Sequence, residues 1–93
     1  MKKSNRAIVT VLGQDRVGII AGVTGVLAGY NVNILDIRQT IMQEFFTMMM
    51  LVDLEEATID FSALAAALDA KGQELGVQVR IQQEDIFRYM HRI

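Results

Sequence analysis

Between Phe45 and Asp53 the chain is apolar at Phe46, Met48, Met50 and Val52 on one parity, and at Phe45, Met49 and Leu51 on the other. Successive side chains of a strand point to opposite faces, so such a strand must be central in its sheet or covered on both sides. A second segment makes the same demand. From Arg6 to Leu12, Ala7, Val9 and Val11 share one parity while Ile8 and Leu12 share the other. A domain of 93 residues buries only about 60–65% of the surface its unfolded chain exposes. Two strands hungry for cover on both faces therefore leave few architectures open.

The intervening segments narrow the choice. Gly13 stops the first strand, and Gly13-Gln14-Asp15-Arg16-Val17-Gly18 reads as a polar turn. Ile19, Ile20, Val23, Val26, Leu27 and Tyr30 then recur at three- and four-residue steps, which predicts an amphipathic helix from about Val17 to Gly29. Gly18, Gly22, Gly25 and Gly29 all fall in or beside it. Interior glycine costs about 1 kcal/mol against alanine, so close approach of the helix to the sheet, or of a ligand to its first turn, is expected to favour them.

Gly29 to Asn33 supplies turn chemistry. From Ile34 to Met42, Leu35, Ile37 and Ile41 alternate with Asp36, Arg38 and Thr40, the pattern of a strand in a sheet with one wet face. Gln43-Glu44 is a hairpin candidate. Asp60 is a suitable N-cap for a helix with Phe61, Leu64, Ala65, Leu68 and Leu75 on its apolar face, and Gly72 and Gly76 mark a frayed end. Val77, Val79 and Ile81 alternate with Gln78, Arg80 and Gln82, a half-buried strand. Ile86, Phe87 and Met90 predict a short C-terminal helix over Glu84 to Ile93.

The order is β-α-β-β-α-β plus a tail helix. It describes an α+β, ferredoxin-like sandwich: a four-stranded antiparallel sheet with two helices on one face and the first and third strands inside. Those are the two doubly apolar strands. Nothing between residues 1 and 93 reads as a linker, so a single domain over 1–93 is expected.

That fold hosts unrelated activities, so function has to come from sites. The chain has no cysteine, which removes disulfides and thiol chemistry and suits a reducing compartment, the cytoplasm. Nine basic and eleven acidic residues give a net charge of −2. The basic ones are scattered, so direct nucleic-acid binding is not expected. No apolar run reaches the roughly 20 residues of a membrane-spanning helix, and Met1 to Arg6 lacks the pattern of a signal peptide.

Four chemistries can be tested residue by residue. A metal chaperone needs a soft-ligand pair, and here there is only His91, read as a solvated tail residue. An RNA-recognition module stacks bases on aromatics of its third strand, but Phe45 and Phe46 are adjacent and point to opposite faces. Gly13 and Gly18 have the glycine gap of a phosphate-binding loop, yet Ile19-Ile20 stand where Lys and Ser or Thr are needed. An acylphosphatase-like pairing of arginine and asparagine is not apparent. No catalytic residue and no cofactor are expected.

Val11-Leu12-Gly13-Gln14-Asp15-Arg16-Val17-Gly18-Ile19-Ile20-Ala21-Gly22-Val23, followed by Leu27-Ala28-Gly29-Tyr30-Asn31-Val32-Asn33-Ile34-Leu35-Asp36-Ile37, resembles the opening half of an ACT domain. The resemblance is closest to small stand-alone ACT proteins. It is more distant to the glycine-cleavage repressor and to the leading domain of formyltetrahydrofolate deformylase. Val17 departs from the pattern, which commonly has proline there, and Tyr30 to Asn33 lengthens the usual glycine-to-asparagine step.

The resemblance implies a non-catalytic regulatory domain. It would bind an amino acid or similar small carboxylate between the first loop of one subunit and the start of the second strand of its partner. Gly13, Asp15, Gly18, Ile19, Ile20 and Asn33 are the implied ligand-binding residues. Backbone N–H groups of Gly18, Ile19 and Ile20 would meet the carboxylate, Asp15 the ammonium group, and Asn33 of the second chain would add hydrogen bonds. Plainer roles compete: Asp15 as an N-cap, Gly13 and Gly18 as tight-turn residues, Asn33 as a turn residue, Met48 to Met50 as packing. Arg38 with Asp36 can form a surface pair of little energetic value. An exposed apolar patch on the helix-free face of the first and third strands would favour a homodimer, with a tetramer possible. A metabolic enzyme or regulator would receive the signal. The alternative is a protein-interaction module or a transcription-regulatory subunit with a degenerate ligand site.

Overall fold

The third strand owes its central place to its two-sided apolarity, and the computed structural model, which describes residues 5–14 and 17–83, puts it there. Six elements follow in the order β1 (Arg6–Gln14), α1 (Ile19–Gly29), β2 (Asn33–Met42), β3 (Phe45–Asp53), α2 (Phe61–Leu75) and β4 (Gln78–Gln83). The strands form one antiparallel sheet in the order β2-β3-β1-β4. Both doubly apolar segments are interior, and both helices lie on the face that buries Ala7, Val9, Val11, Phe46, Met48, Met50 and Val52. Ile19, Val23 and Leu27 of α1 and Leu64 and Leu68 of α2 close this core from the other side.

Both helices end in a Schellman motif. Val32 N–H donates to Leu27 O at 2.9 Å and Asn31 N–H to Ala28 O at 3.0 Å, with Asn31 at φ 62. Val77 N–H donates to Gly72 O at 2.9 Å and Gly76 N–H to Gln73 O at 3.3 Å, with Gly76 at φ 77. A left-handed residue satisfies the last carbonyls in each case. Asp60 caps α2 as expected, its Oδ1 accepting from Ala63 N–H at 2.8 Å.

Several local expectations are corrected. Gly13 does not stop β1: it pairs with Phe46 inside the ladder, which runs on through Gln14. Glycine is required there because a Cβ would stand 2.7 Å from Cγ1 of Val77. α1 begins at Ile19, two residues later than predicted, because Gly18 takes a left-handed φ of 95 that no helical residue can. Gly72 is no frayed end but a buried position within α2, where a Cβ would come within 2.8 Å of the Val77 carbonyl oxygen. The α1 glycines do not admit the sheet: Gly22 faces Leu75 of α2, and Gly25 and Gly29 have nothing within 4 Å of an added Cβ. β2 starts at Asn33 and carries a bulge at Leu35, between Ile34 and Asp36. The predicted helix over Glu84 to Ile93, with His91, lies outside the described residues.

Candidate functional site

The implied ligand residues fall into two groups at opposite ends of the domain. Gly13 sits near the end of β1, and Gly18, Ile19 and Ile20 start α1. Gly18 is the N-cap residue and offers no side-chain acceptor to the first turn. The Gly18 carbonyl oxygen accepts from Gly22 N–H at 2.8 Å. An N-terminal turn without a side-chain cap leaves backbone donors and the positive end of the helix dipole facing outward. The Ile19 side chain is buried, whereas Ile20 is exposed; Ile19 anchors the turn, and Ile20 stands at the surface beside it. Asp15 lies outside the described residues.

Asn33 opens β2 opposite Asp53, in the row of the sheet that also holds Arg6. It lines a notch of about 430 Å³ with Ala28, Asn31, Val32, Asp53 and Glu56. The wall of the notch is hydrogen-bonded. Asn31 Nδ2 donates to Glu56 O at 3.0 Å, and Thr58 N–H donates to Tyr30 O at 2.9 Å, tying the β3–α2 loop to the end of α1. Asp53 Oδ1 accepts from Glu55 N–H at 3.0 Å. Asn31, Asp53 and Glu56 were not singled out from sequence. Asn31 read there only as turn chemistry, and nothing local says that the end of β3 returns beside it.

One chain does not bring the two groups together. The eleven residues of α1 separate them by about 16 Å at 1.5 Å per residue. β2 is an edge strand of ten residues with no strand paired to its outer side among the described residues. Antiparallel pairing of β2 with a second β2 would set Asn33 at the level of the partner chain's Met42, the sheet end from which the first turn departs. The helix-side residues Ile37 and Ile41 of β2 are 42% and 54% exposed, so α1 leaves them uncovered along that same edge.

Among the described residues there is no cluster of three or more His, Cys, Asp or Glu able to hold a metal ion. No helix among them is long and apolar enough to cross a membrane.

A model of the ACT domain family matches residues 5–82. A UPF0237 protein of Methanocaldococcus jannaschii is 58% identical over 89 residues, 96% of this chain and 99% of that protein. The solved structure of an ACT domain protein from Streptococcus pneumoniae superposes with a TM-score of 0.80 at 45% identity, covering 91% of this chain and 96% of that one. Two longer proteins share the fold. A formyltetrahydrofolate deformylase from Pseudomonas syringae has a TM-score of 0.78 at 22% identity, covering 87% of this chain and 28% of that one. A glycine cleavage system transcriptional repressor has 0.74 at 23%, covering 84% and 44%.

Proposed function

Because the chain belongs to the ACT domain family, whose members are in general regulatory domains that bind small ligands, we propose that it is a non-catalytic sensor of an amino acid or similar small carboxylate. It would work in the cytoplasm as a homodimer and signal to a metabolic enzyme or regulator. The observation that carries this reading is the start of α1. Gly18 holds a left-handed backbone and presents the first turn without a side-chain cap, an arrangement suited to a carboxylate. Ile19 anchors that turn and Ile20 borders it, Gly13 lies in the β1 ladder that leads to it, and Asp15 would take the ammonium group.

The second half of the site is Asn33 of the partner chain, brought to the turn by antiparallel β2 pairing. Its amide can donate to the ligand and accept from it. Each ligand then bridges two chains, so binding strengthens the dimer by mass action. Scattered charge and an acid-base balance near neutrality argue against a polyanionic partner for this chain alone.

Isothermal titration calorimetry against the twenty amino acids, with sedimentation velocity run with and without each, tests the reading. One amino acid is expected to bind with a stoichiometry of one per chain and to shift association toward the dimer. No heat from any of them, with a chain that is folded by circular dichroism, would overturn it.

A further inference from the structure

The face of the sheet opposite the helices carries its own pattern. Cross-strand partners share a face, and the register puts Ile8 and Leu12 of β1, Phe45, Thr47, Met49 and Leu51 of β3, and Asp36, Arg38, Thr40 and Met42 of β2 on it. Leu12 is 47%, Phe45 55% and Met49 43% exposed. Charge sits at the margins: Asp36 and Arg38 on one edge strand, Arg80 on the other, and Arg6 opposite Asp53 in the end row of the two central strands. An apolar centre inside a polar rim is the anatomy of a protein interface. Strands of nine, ten, nine and six residues, about 4.8 Å apart and rising 3.3 Å per residue, offer on the order of 500 Å² in projection. Side-chain relief brings that toward the roughly 800 Å² per partner of a stable interface.

The rim says which partner fits. Asp36 and Arg38 are two residues apart on one strand and face, in adjacent rows of the sheet: Asp36 with Leu51 and Ile8, Arg38 with Met49 and Thr10. Within the chain they form only a loose pair, 3.9 Å apart, with the Arg38 side chain 84% exposed. A two-fold axis crossing the strands between those rows lays Asp36 of each copy on Arg38 of the other, twice over. It sets Leu51 on Met49, Ile8 on Thr10, and Arg80 against Gln82, in a shallow depression of about 120 Å³ that Ile8, Asp36, Arg38, Met49 and Leu51 line. The two central rows are thus self-complementary, as an isologous contact requires, while the flanking rows set Asp53 on Thr47 and Arg6 on Leu12 and leave Phe45 and Met42 at the outer end.

We propose that the helix-free sheet face binds a second copy of this chain, sheet against sheet, with Asp36 and Arg38 exchanged across the two-fold axis. This contact lies out of the plane of the sheet, so it leaves the β2 edge free. Together the two contacts make a tetramer, and the face contact does not depend on any ligand.

Charge reversal tests it, because the residues are exposed and their replacement leaves the core untouched. Asp36→Arg gives a rim with two positive residues, and Arg38→Asp one with two negative residues. Like charges placed opposite one another oppose association. In sedimentation velocity, each variant alone is expected to show half the mass of the wild-type assembly. An equimolar mixture of the two is expected to regain the full mass, since each rim then meets its opposite. Met49→Glu should halve the mass as well, with no rescue by either charge variant. The proposal is overturned if both reversals keep the wild-type mass, if mixing restores nothing, or if the wild-type chain is a monomer at micromolar concentration. Amino-acid binding measured on the same variants separates this outcome from failure of the ligand reading, since the face variants retain the β2 edge and the first turn.

Discussion

Gly13 and Val77 share a space that holds only one side chain: a Cβ at position 13 would stand 2.7 Å from Cγ1 of Val77 and 3.2 Å from its Cα. The same residue presses on α2, where a Cβ on Gly72 would approach the Val77 carbonyl oxygen to 2.8 Å and Cγ2 of Val79 to 2.9 Å. Val77 is therefore wedged between a strand and a helix that both had to give up a side chain. This wedge brings the end of α2 down onto the sheet and starts β4 in register with β1.

Gly13→Ala and Gly72→Ala should each destabilise the fold by roughly 1–3 kcal/mol, the usual range for forcing atoms into a filled core. Gly72→Ala gains about 1 kcal/mol of helix propensity, but its clash is with backbone, which cannot rotate away. The measurement is urea unfolding at a single protein concentration. A Gly72→Ala chain as stable as the wild type would show that β4 can move off α2 at little cost.

Gly25→Ala should do the opposite. It lies inside α1 with nothing within 4 Å of an added Cβ, so alanine removes backbone freedom from the unfolded chain and meets no obstacle. A gain of about 0.5–1 kcal/mol is expected, read as a higher urea midpoint with an unchanged slope. A loss would mean that another surface packs on this side of α1 in the assembled protein.

Asp60→Ala tests the start of α2. Loss of the Oδ1 contact to Ala63 N–H should cost about 1 kcal/mol, while Asp60→Asn, which keeps an acceptor oxygen, should cost much less. If both variants unfold at the same midpoint, the bond contributes nothing beyond what water supplies.

What the sequence shows of this fold is set by how local the cause is. The doubly apolar runs around Val9 and Met48 announce interior strands, and Asp60 announces a helix start, because in each case the residues that act are neighbours in the chain. Gly13 and Gly72 mislead in the sequence because their reason is Val77, far from one and across a turn from the other. Taken alone, a glycine after a strand looks like a stop and a glycine late in a helix looks like fraying. The bulge at Leu35 is silent for a similar cause, since it is defined by how β2 meets β3. Gly18 reveals itself as a turn residue, but the distance from it to Asn33 is a property of the fold, and the proposed site joins them only through a second chain.

That division gives a test no single variant provides. Gly18→Val should disable the turn half of every site, because a β-branched residue at a φ of 95 is strained. Asn33→Ala should disable the strand half, at an exposed position where stability is little affected. Each variant alone is expected to lose amino-acid binding. If each site takes its turn from one chain and its Asn33 from the other, a mixed dimer carries one intact site and one doubly damaged site. Random reassortment of equal amounts then restores about a quarter of the wild-type binding capacity. Sites built within single chains would regain nothing on mixing. Calorimetric stoichiometry before and after joint denaturation and refolding distinguishes the two, since only shared sites recover capacity at wild-type affinity.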